Sequence, residues 1–120
     1  MFATIIDRKF GMHDGVPSLE KMQEVVGGYI ETALRCPSPT RKNISVDAYV
    51  NEEGLMIGLP IDHVRMTDRS YLAGNIIITG ADERTGDTVA VTKEEINALL
   101  KHIGILPITL MADGDVVVSV

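Results

Sequence analysis

The sequence predicts a single α+β domain with a mainly antiparallel sheet of about six or seven strands and two or three short helices. Most of the chain consists of short β-branched runs separated by turns rich in Gly, Pro, Asn and Asp. Only a few segments combine helical spacing of apolar residues with capping residues. A chain of 120 residues has the size of one domain. We therefore treat residues 1–120 as one domain, with residues 105–120 as a C-terminal β-hairpin extension.

The first part of the chain contains a strand, a loop and a helix. Residues 3–7 are apolar and β-branched, which is typical of a strand, whereas residues 11–17 carry two glycines and a proline and are expected to form a loop. Residues 19–26 follow Ser18, a good N-cap, and place their apolar side chains on one helical face. The glycine pair that starts at Gly27 predicts the end of this helix.

Two alternating segments follow, and they predict an antiparallel strand pair. Residues 29–35 alternate in polarity, with Arg35 expected on the opposite face from Ile30, and residues 44–50 alternate apolar positions with Ser45, Asp47 and Tyr49. The eight-residue connection contains two prolines. It is too short for a helical crossover, so the strands should pair antiparallel.

The second half continues the α+β pattern. Residues 61–72 are expected to form a short helix, residues 74–80 a buried strand with three consecutive isoleucines, and residues 89–91 a short partner strand. Residues 92–95 have the Thr-x-x-Glu pattern of a capping box at the start of a helix. Residues 108–120 contain an Asp-Gly turn signal between two β-rich runs and predict a hairpin.

Composition and spacing argue against several functions. There are 11 basic and 17 acidic residues, a net charge of −6 that disfavours binding to a nucleic acid polymer. Cys36 is the single cysteine and has no neighbouring base. The histidines lack metal-ligand spacing, and no glycine-rich turn opens a helix. No long apolar run is present, so we expect a cytoplasmic protein without membrane contact. Because the motifs for a cofactor or a metal are missing, we expect neither.

The segment from residue 46 to residue 64 concentrates polar groups where the backbone turns. Asn51, Glu52 and Glu53 form an acidic turn. Adjacent strand residues point to opposite sides, so Glu52 and Glu53 are not expected to act together, and a solvated turn is the favoured interpretation. A hydrolase that uses Glu52 or Glu53 as its base remains an alternative. Arg65 and Arg69 would share one face of the expected helix and could bind an anion.

Four stretches together resemble a known family. They are LEKMQEVVGGYIE, VDAYVNEEGLMIGLP, AGNIIITGAD and VTKEEI, and they span the chain from about Leu19 to Leu100. The pattern is similar to a family of small phage and bacterial proteins that is classed as a domain of unknown function. The part of the chain after Gly104 lies outside the shared pattern. The resemblance implies a phage setting, and the host cytoplasm if the protein is phage-encoded, but no activity.

These observations lead to three hypotheses. The first is a non-enzymatic, homo-oligomeric accessory protein that binds a small anionic ligand, such as a nucleotide signal of host immunity, and thereby acts against host defence. The second is a protein-interaction module or inhibitor that binds a host protein through a sheet edge, for which the β-branched run at residues 116–120 is suited. The hydrolase is the third. The residues expected to bind the ligand are Tyr29, Glu31, Asn51, Glu52, Pro60, Arg65 and Arg69.

Overall fold

The structure is a computed structural model that describes residues 1–6, 9–53, 64–65, 71–72, 74–101, 109–110 and 116–117. These residues contain ten strand segments and two helices. The helices are α1 (Leu19–Val26) and α2 (Lys93–Leu100). The strands are β1 (Phe2–Ile6), β2 (Lys9–His13), β3 (Ile30–Pro37), β4 (Ile44–Asn51), β5 (Val64–Arg65), β6 (Tyr71–Leu72), β7 (Ile76–Asp82), β8 (Thr88–Val89), β9 (Thr109–Leu110) and β10 (Val116–Val117).

Eight of these strands form one antiparallel sheet. Its order is β3-β4-β7-β1-β2-β10-β9, and β8 pairs with the end of β7. The remaining two strands, β5 and β6, pair with each other. The predicted α+β class and the mainly antiparallel sheet are therefore confirmed. The number of segments exceeds the prediction because five of them are only two residues long.

The two helices pack on opposite faces of the sheet. Helix α2 buries Ile96 and Leu99 against the sheet residues Val46, Ala48 and Ile78. Helix α1 buries a smaller cluster on the other face, composed of Phe2, Met22, Val25, Val26 and Ile77. Strand side chains alternate between faces, so the even positions of β4 join the larger core and its odd positions face the α1 side. The α1 side is where polar residues collect.

Both helix starts follow the predicted capping chemistry. The Ser18 hydroxyl accepts a bond from the Lys21 amide at 3.1 Å, and Gly27 ends α1 in the left-handed region at φ 80°. At α2, the Thr92 hydroxyl accepts from the Glu95 amide, and the Glu95 carboxylate accepts from the Thr92 amide. This is a complete capping box.

Strand β3 carries a bulge that the alternation did not predict. Its register with β4 shifts between Thr32 and Leu34. The extra residue moves the side chains of all later β3 residues to the other face of the sheet. Arg35 therefore pairs with Asp47 and shares its face, instead of lying on the face of Glu31. The expectation that Arg35 and Ile30 occupy opposite faces is wrong for this reason.

Three other expectations need correction. Residues 11–13 belong to β2 rather than to a loop. The short helix over residues 61–72 is wrong where the structure describes it, because Val64–Arg65 and Tyr71–Leu72 are paired strands. The C-terminal hairpin is present as β9 and β10, but β10 also pairs with β2. Residues 116–117 are consequently bonded on both sides and are not an open sheet edge.

Candidate functional site

A buried carboxylate is the centre of the polar region on the α1 side of the sheet. Asp47 lies in the middle of β4, and its side chain is 0% exposed. Its Oδ1 accepts bonds from Arg35 Nε at 2.9 Å and from Ser45 Oγ at 3.0 Å. Its Oδ2 accepts bonds from Arg35 Nη2 at 2.9 Å and from Tyr49 Oη at 3.0 Å. Four donors therefore satisfy one carboxylate, which fixes all three partner side chains.

The Arg35 guanidinium is held by one of its two hydrogen-bonding edges. Asp47 binds the edge formed by Nε and Nη2, and the Arg35 side chain remains 57% exposed. A guanidinium has five N–H groups, so the opposite edge, formed by Nη1 and Nη2, still offers parallel donors. Nothing in the described part of the chain binds that second edge. The arrangement presents a pre-oriented donor pair to solvent.

Arg35 also lines a depression of about 260 Å³. We call it the Arg35 depression. It is bounded by the ends of β3, β4 and β7 and by the turn between β7 and β8. Its lining residues are Arg35, Ser45, Tyr49, Ala81, Asp82, Glu83, Gly86 and Thr88.

The protonation states of the cluster follow from burial and from the Asp47 charge. The hydrogen bonds and the charge of Asp47 raise the pKa of Arg35 above its ordinary value, so this residue is a permanent cation. Burial, followed by the nearby Asp47 charge, raises the pKa of Tyr49. Tyr49 is therefore a neutral hydroxyl at physiological pH. Burial raises the pKa of Cys36 as well, which leaves its thiol protonated and unreactive.

Thr79 lies beside Asp47 on the neighbouring strand. The two residues are register partners in the pairing of β4 with β7, and Thr79 is 0% exposed. Its hydroxyl has no hydrogen-bond partner among the described residues. A buried hydroxyl without a partner costs stability, so Thr79 is an unusual neighbour of Asp47.

Some of the sequence-predicted site residues come together at the opposite end of β3 and β4. The Glu52 amide donates to the Tyr29 carbonyl at 3.0 Å, and Tyr29 is 69% exposed. Asn51 is buried: its Nδ2 donates to the Val26 carbonyl, and its Oδ1 accepts from the Glu53 amide. The Asn51 amide group is thus used to fix the end of α1 and the following turn.

The structure separates these residues from the Arg35 depression. Tyr29 and Arg35 are six positions apart along an extended strand, which corresponds to about 17–20 Å. Glu31 is exposed and lies opposite Val50, whose face belongs to the α2 side. Pro60 and Arg69 lie outside the described residues, and Arg65 is described only as a backbone position in β5.

The described residues contain no group of three or more His, Cys, Asp or Glu side chains arranged to hold a metal ion. Within the same part of the chain, no helix is both long and apolar enough to cross a bilayer.

A family model described as "Domain of unknown function (DUF3846)" matches residues 5–104. The chain belongs to this family. The resemblance found in the sequence is therefore confirmed at the level of the family. No curated protein and no solved structure matches the chain.

The DUF3846 match contains every residue of the Arg35 depression. It ends before β9 and β10, which extend the sheet beyond the matched region. The depression therefore lies within the part of the chain that the family model matches.

Sequence reasoning overlooked Arg35, Ser45 and Tyr49 as site residues. The available signal was the polar side of β4, where Ser45, Asp47 and Tyr49 alternate with an apolar core face. A central strand with three polar residues on one face needs partners for them, because buried polar groups are costly when unpaired. Arg35 could not be added to that set because the bulge near Ala33 has no clear sequence signature.

Proposed function

We propose that this DUF3846 chain is a non-enzymatic binding protein that takes a small anionic ligand on Arg35. The observation that carries this proposal is the guanidinium anchored on a buried carboxylate with its second edge directed to solvent. Such an edge matches the two oxygens of a carboxylate or a phosphate. The adjoining depression provides room for the rest of the ligand.

The fixed position of Arg35 reduces the cost of binding. A free arginine side chain loses rotamer entropy when it orders on a ligand. In this site the two bonds to Asp47 have already ordered the side chain. The ligand therefore gains bidentate bonds with little further loss of entropy.

Binding is favoured over catalysis by the state of Asp47 and Tyr49. Both Asp47 oxygens already accept two hydrogen bonds each, so the carboxylate has no free lone pair for a proton. The raised pKa keeps Tyr49 protonated. Neither group is available as a general base at neutral pH.

The other two hypotheses have less support. Glu52 and Glu53, the bases of the hydrolase hypothesis, are both exposed. For the sheet-edge hypothesis, β10 is bonded on both sides. Strand β3 is an edge of the sheet, but its bulge and Pro37 are features that hinder strand addition.

Within this proposal, we place the protein in the cytoplasm as a homo-oligomer that sequesters its ligand. The phage setting implied by the resemblance makes nucleotide signals of host defence one class to test. Small carboxylates are the second class, because the Arg35 edge suits both.

The test is ligand titration by two-dimensional ¹H–¹⁵N NMR, with a panel of mononucleotides, cyclic nucleotides, inorganic phosphate and small carboxylates. We expect at least one compound to shift the amide signals of residues around the Arg35 depression in a saturable manner. Arg35→Met should weaken that binding at least tenfold. Lys21→Met is the matched control, since Lys21 is a 49% exposed cation of α1 that does not line the depression, and it should leave binding unchanged. Equal loss in both variants, or no saturable shift in the panel, would overturn the proposal.

A further inference from the structure

We infer that the ligand of the Arg35 depression is a small zwitterion, with its carboxylate on Arg35 and its ammonium group near Glu83. This inference rests on the proposed function: it keeps an anionic group of the ligand on Arg35 and adds an ammonium group to the same ligand. The size of the depression, the charge of its surroundings and the Tyr49 hydroxyl each support it.

The size of the depression favours a molecule of about amino-acid dimensions. Its volume is about 260 Å³, which is below the range of roughly 300–1,000 Å³ typical of pockets for drug-sized ligands. A compound with a few carbon atoms between two charged ends fits within it.

The charge balance disfavours a strongly anionic ligand. The Arg35 charge is already offset by Asp47, with which it shares two bonds of 2.9 Å. The rim adds Asp82, whose charge is offset by Arg84, and Glu83, whose charge no described residue offsets, and the whole chain carries a net charge of −6. A doubly charged phosphate would meet net repulsion, whereas a zwitterion adds no net charge.

Glu83 is the rim carboxylate available for an ammonium group. Asp82 Oδ1 accepts a bond from the Arg84 amide at 2.9 Å and lies 3.5 Å from Arg84 Nε. The Asp82 carboxylate thus binds Arg84, which belongs to the same turn. Glu83 is exposed, and no contact of its side chain is recorded within the described residues.

The Tyr49 hydroxyl of the lining also suits a cationic group. Ser45 and Tyr49 each donate their proton to Asp47. Ser45 is 1% exposed and does not reach a ligand, whereas Tyr49 is partly exposed. A hydroxyl that donates one bond can still accept another, so the Tyr49 oxygen adds an acceptor to the carboxylate of Glu83.

The experiment compares pairs of compounds that differ only in the amino group. Propionate is compared with β-alanine, and butyrate with 4-aminobutyrate, by the same NMR titration on the full chain. We expect each zwitterion to bind at least fivefold more tightly than its partner. Glu83→Gln should remove this difference, while Glu20→Gln, the same change at an exposed position of α1, should preserve it.

The outcomes separate this inference from the proposed function. Equal binding within each pair, or tighter binding of phosphate or a nucleotide at Arg35, overturns the zwitterion and leaves the anion site standing. A preference for zwitterions that survives Glu83→Gln overturns the role of Glu83. Binding of none of these compounds overturns both. Thermal unfolding of each variant establishes that the fold is intact.

Discussion

Arg41 and Glu95 are 54 positions apart in sequence and form a two-bond ion pair. Arg41 Nη2 donates to Glu95 Oε1 at 2.8 Å, and Arg41 Nε donates to Glu95 Oε2 at 3.2 Å. The Glu95 side chain is 0% exposed, although it belongs to the first turn of α2. Arg41 Nη2 also donates to the Ala90 carbonyl at 2.8 Å. The loop between β3 and β4 is thereby attached to the start of α2.

Removal of the Arg41 side chain should destabilise the fold. Arg41→Ala leaves the buried Glu95 carboxylate without its cation, and an unpaired buried charge is strongly unfavourable. We expect a loss of about 2 kcal/mol in the free energy of unfolding, since Arg41 itself is partly solvated. Urea denaturation monitored by circular dichroism measures this loss. Arg84→Ala, which removes an exposed arginine, should change stability by less than about 0.5 kcal/mol. Equal effects would contradict the role assigned to Arg41.

The same pair predicts a dependence of stability on pH. Burial alone would raise the pKa of Glu95, but the hydrogen bonds from Arg41 and from the Thr92 amide outweigh it, and the pKa lies below its ordinary value. A carboxylate with a lower pKa in the folded state stabilises the protein above its unfolded-state pKa of about 4.3. That contribution is lost as the pH falls through the folded-state pKa.

We therefore expect the urea concentration at the unfolding midpoint to decrease as the pH is lowered below about 4.3. The decrease should be less steep in Glu95→Gln, because glutamine does not titrate at this position. Urea titrations between neutral and acidic pH compare the two slopes. Identical slopes in the two proteins would show that Glu95 does not contribute to the acid sensitivity.

Thr79→Val should stabilise the protein. The substitution keeps the branched shape and removes a buried hydroxyl that has no partner among the described residues. We expect a gain of about 1 kcal/mol, or an increase in melting temperature of about 3 °C. The matched control is Thr4→Val, because the Thr4 hydroxyl is bonded to His13 Nε2 at 2.8 Å. The control should lose stability, and a loss at Thr79 as well would mean that its hydroxyl has a partner in solution.

Gly28→Ala should weaken the junction between α1 and β4. A Cβ at this position would lie 2.8 Å from Asn51 Nδ2, the atom that donates to the Val26 carbonyl. We expect a cost of about 1–2 kcal/mol from the displaced amide. In an Asn51→Ala background the same substitution should cost less, because the clashing group is absent. Additive effects of the two substitutions in a double-mutant cycle would exclude this contact as the cause.

Local patterns predicted much of the fold. The capping box at Thr92, the glycine stop at Gly27 and the alternation of β4 each depend on neighbours a few positions away, and all three are confirmed. The antiparallel pairing of β3 with β4 is confirmed for the same reason, because a short connection permits little else.

The features that the sequence did not predict depend on contacts between residues that are distant in the chain. The bulge in β3 arises where that strand fits β4, and it decides that Arg35 faces Asp47. The spacing of apolar residues alone predicts a helix that includes residues 64–65, whereas their pairing with residues 71–72 makes them a strand. The candidate site was consequently sought in the turn after β4, although its polar residues lie along β4 itself.

The insertion of β10 between β2 and β9 has a consequence for biosynthesis. Phe10 pairs with Val116, so this side of β2 lacks its partner strand until residue 117 has left the ribosome. A sheet that contains such a long-range pairing forms slowly, and this pairing forms only after β10 has been translated. Until then, nascent chains can aggregate through the unpaired side of β2. A chaperone that covers this side of β2 would therefore increase the yield of folded protein.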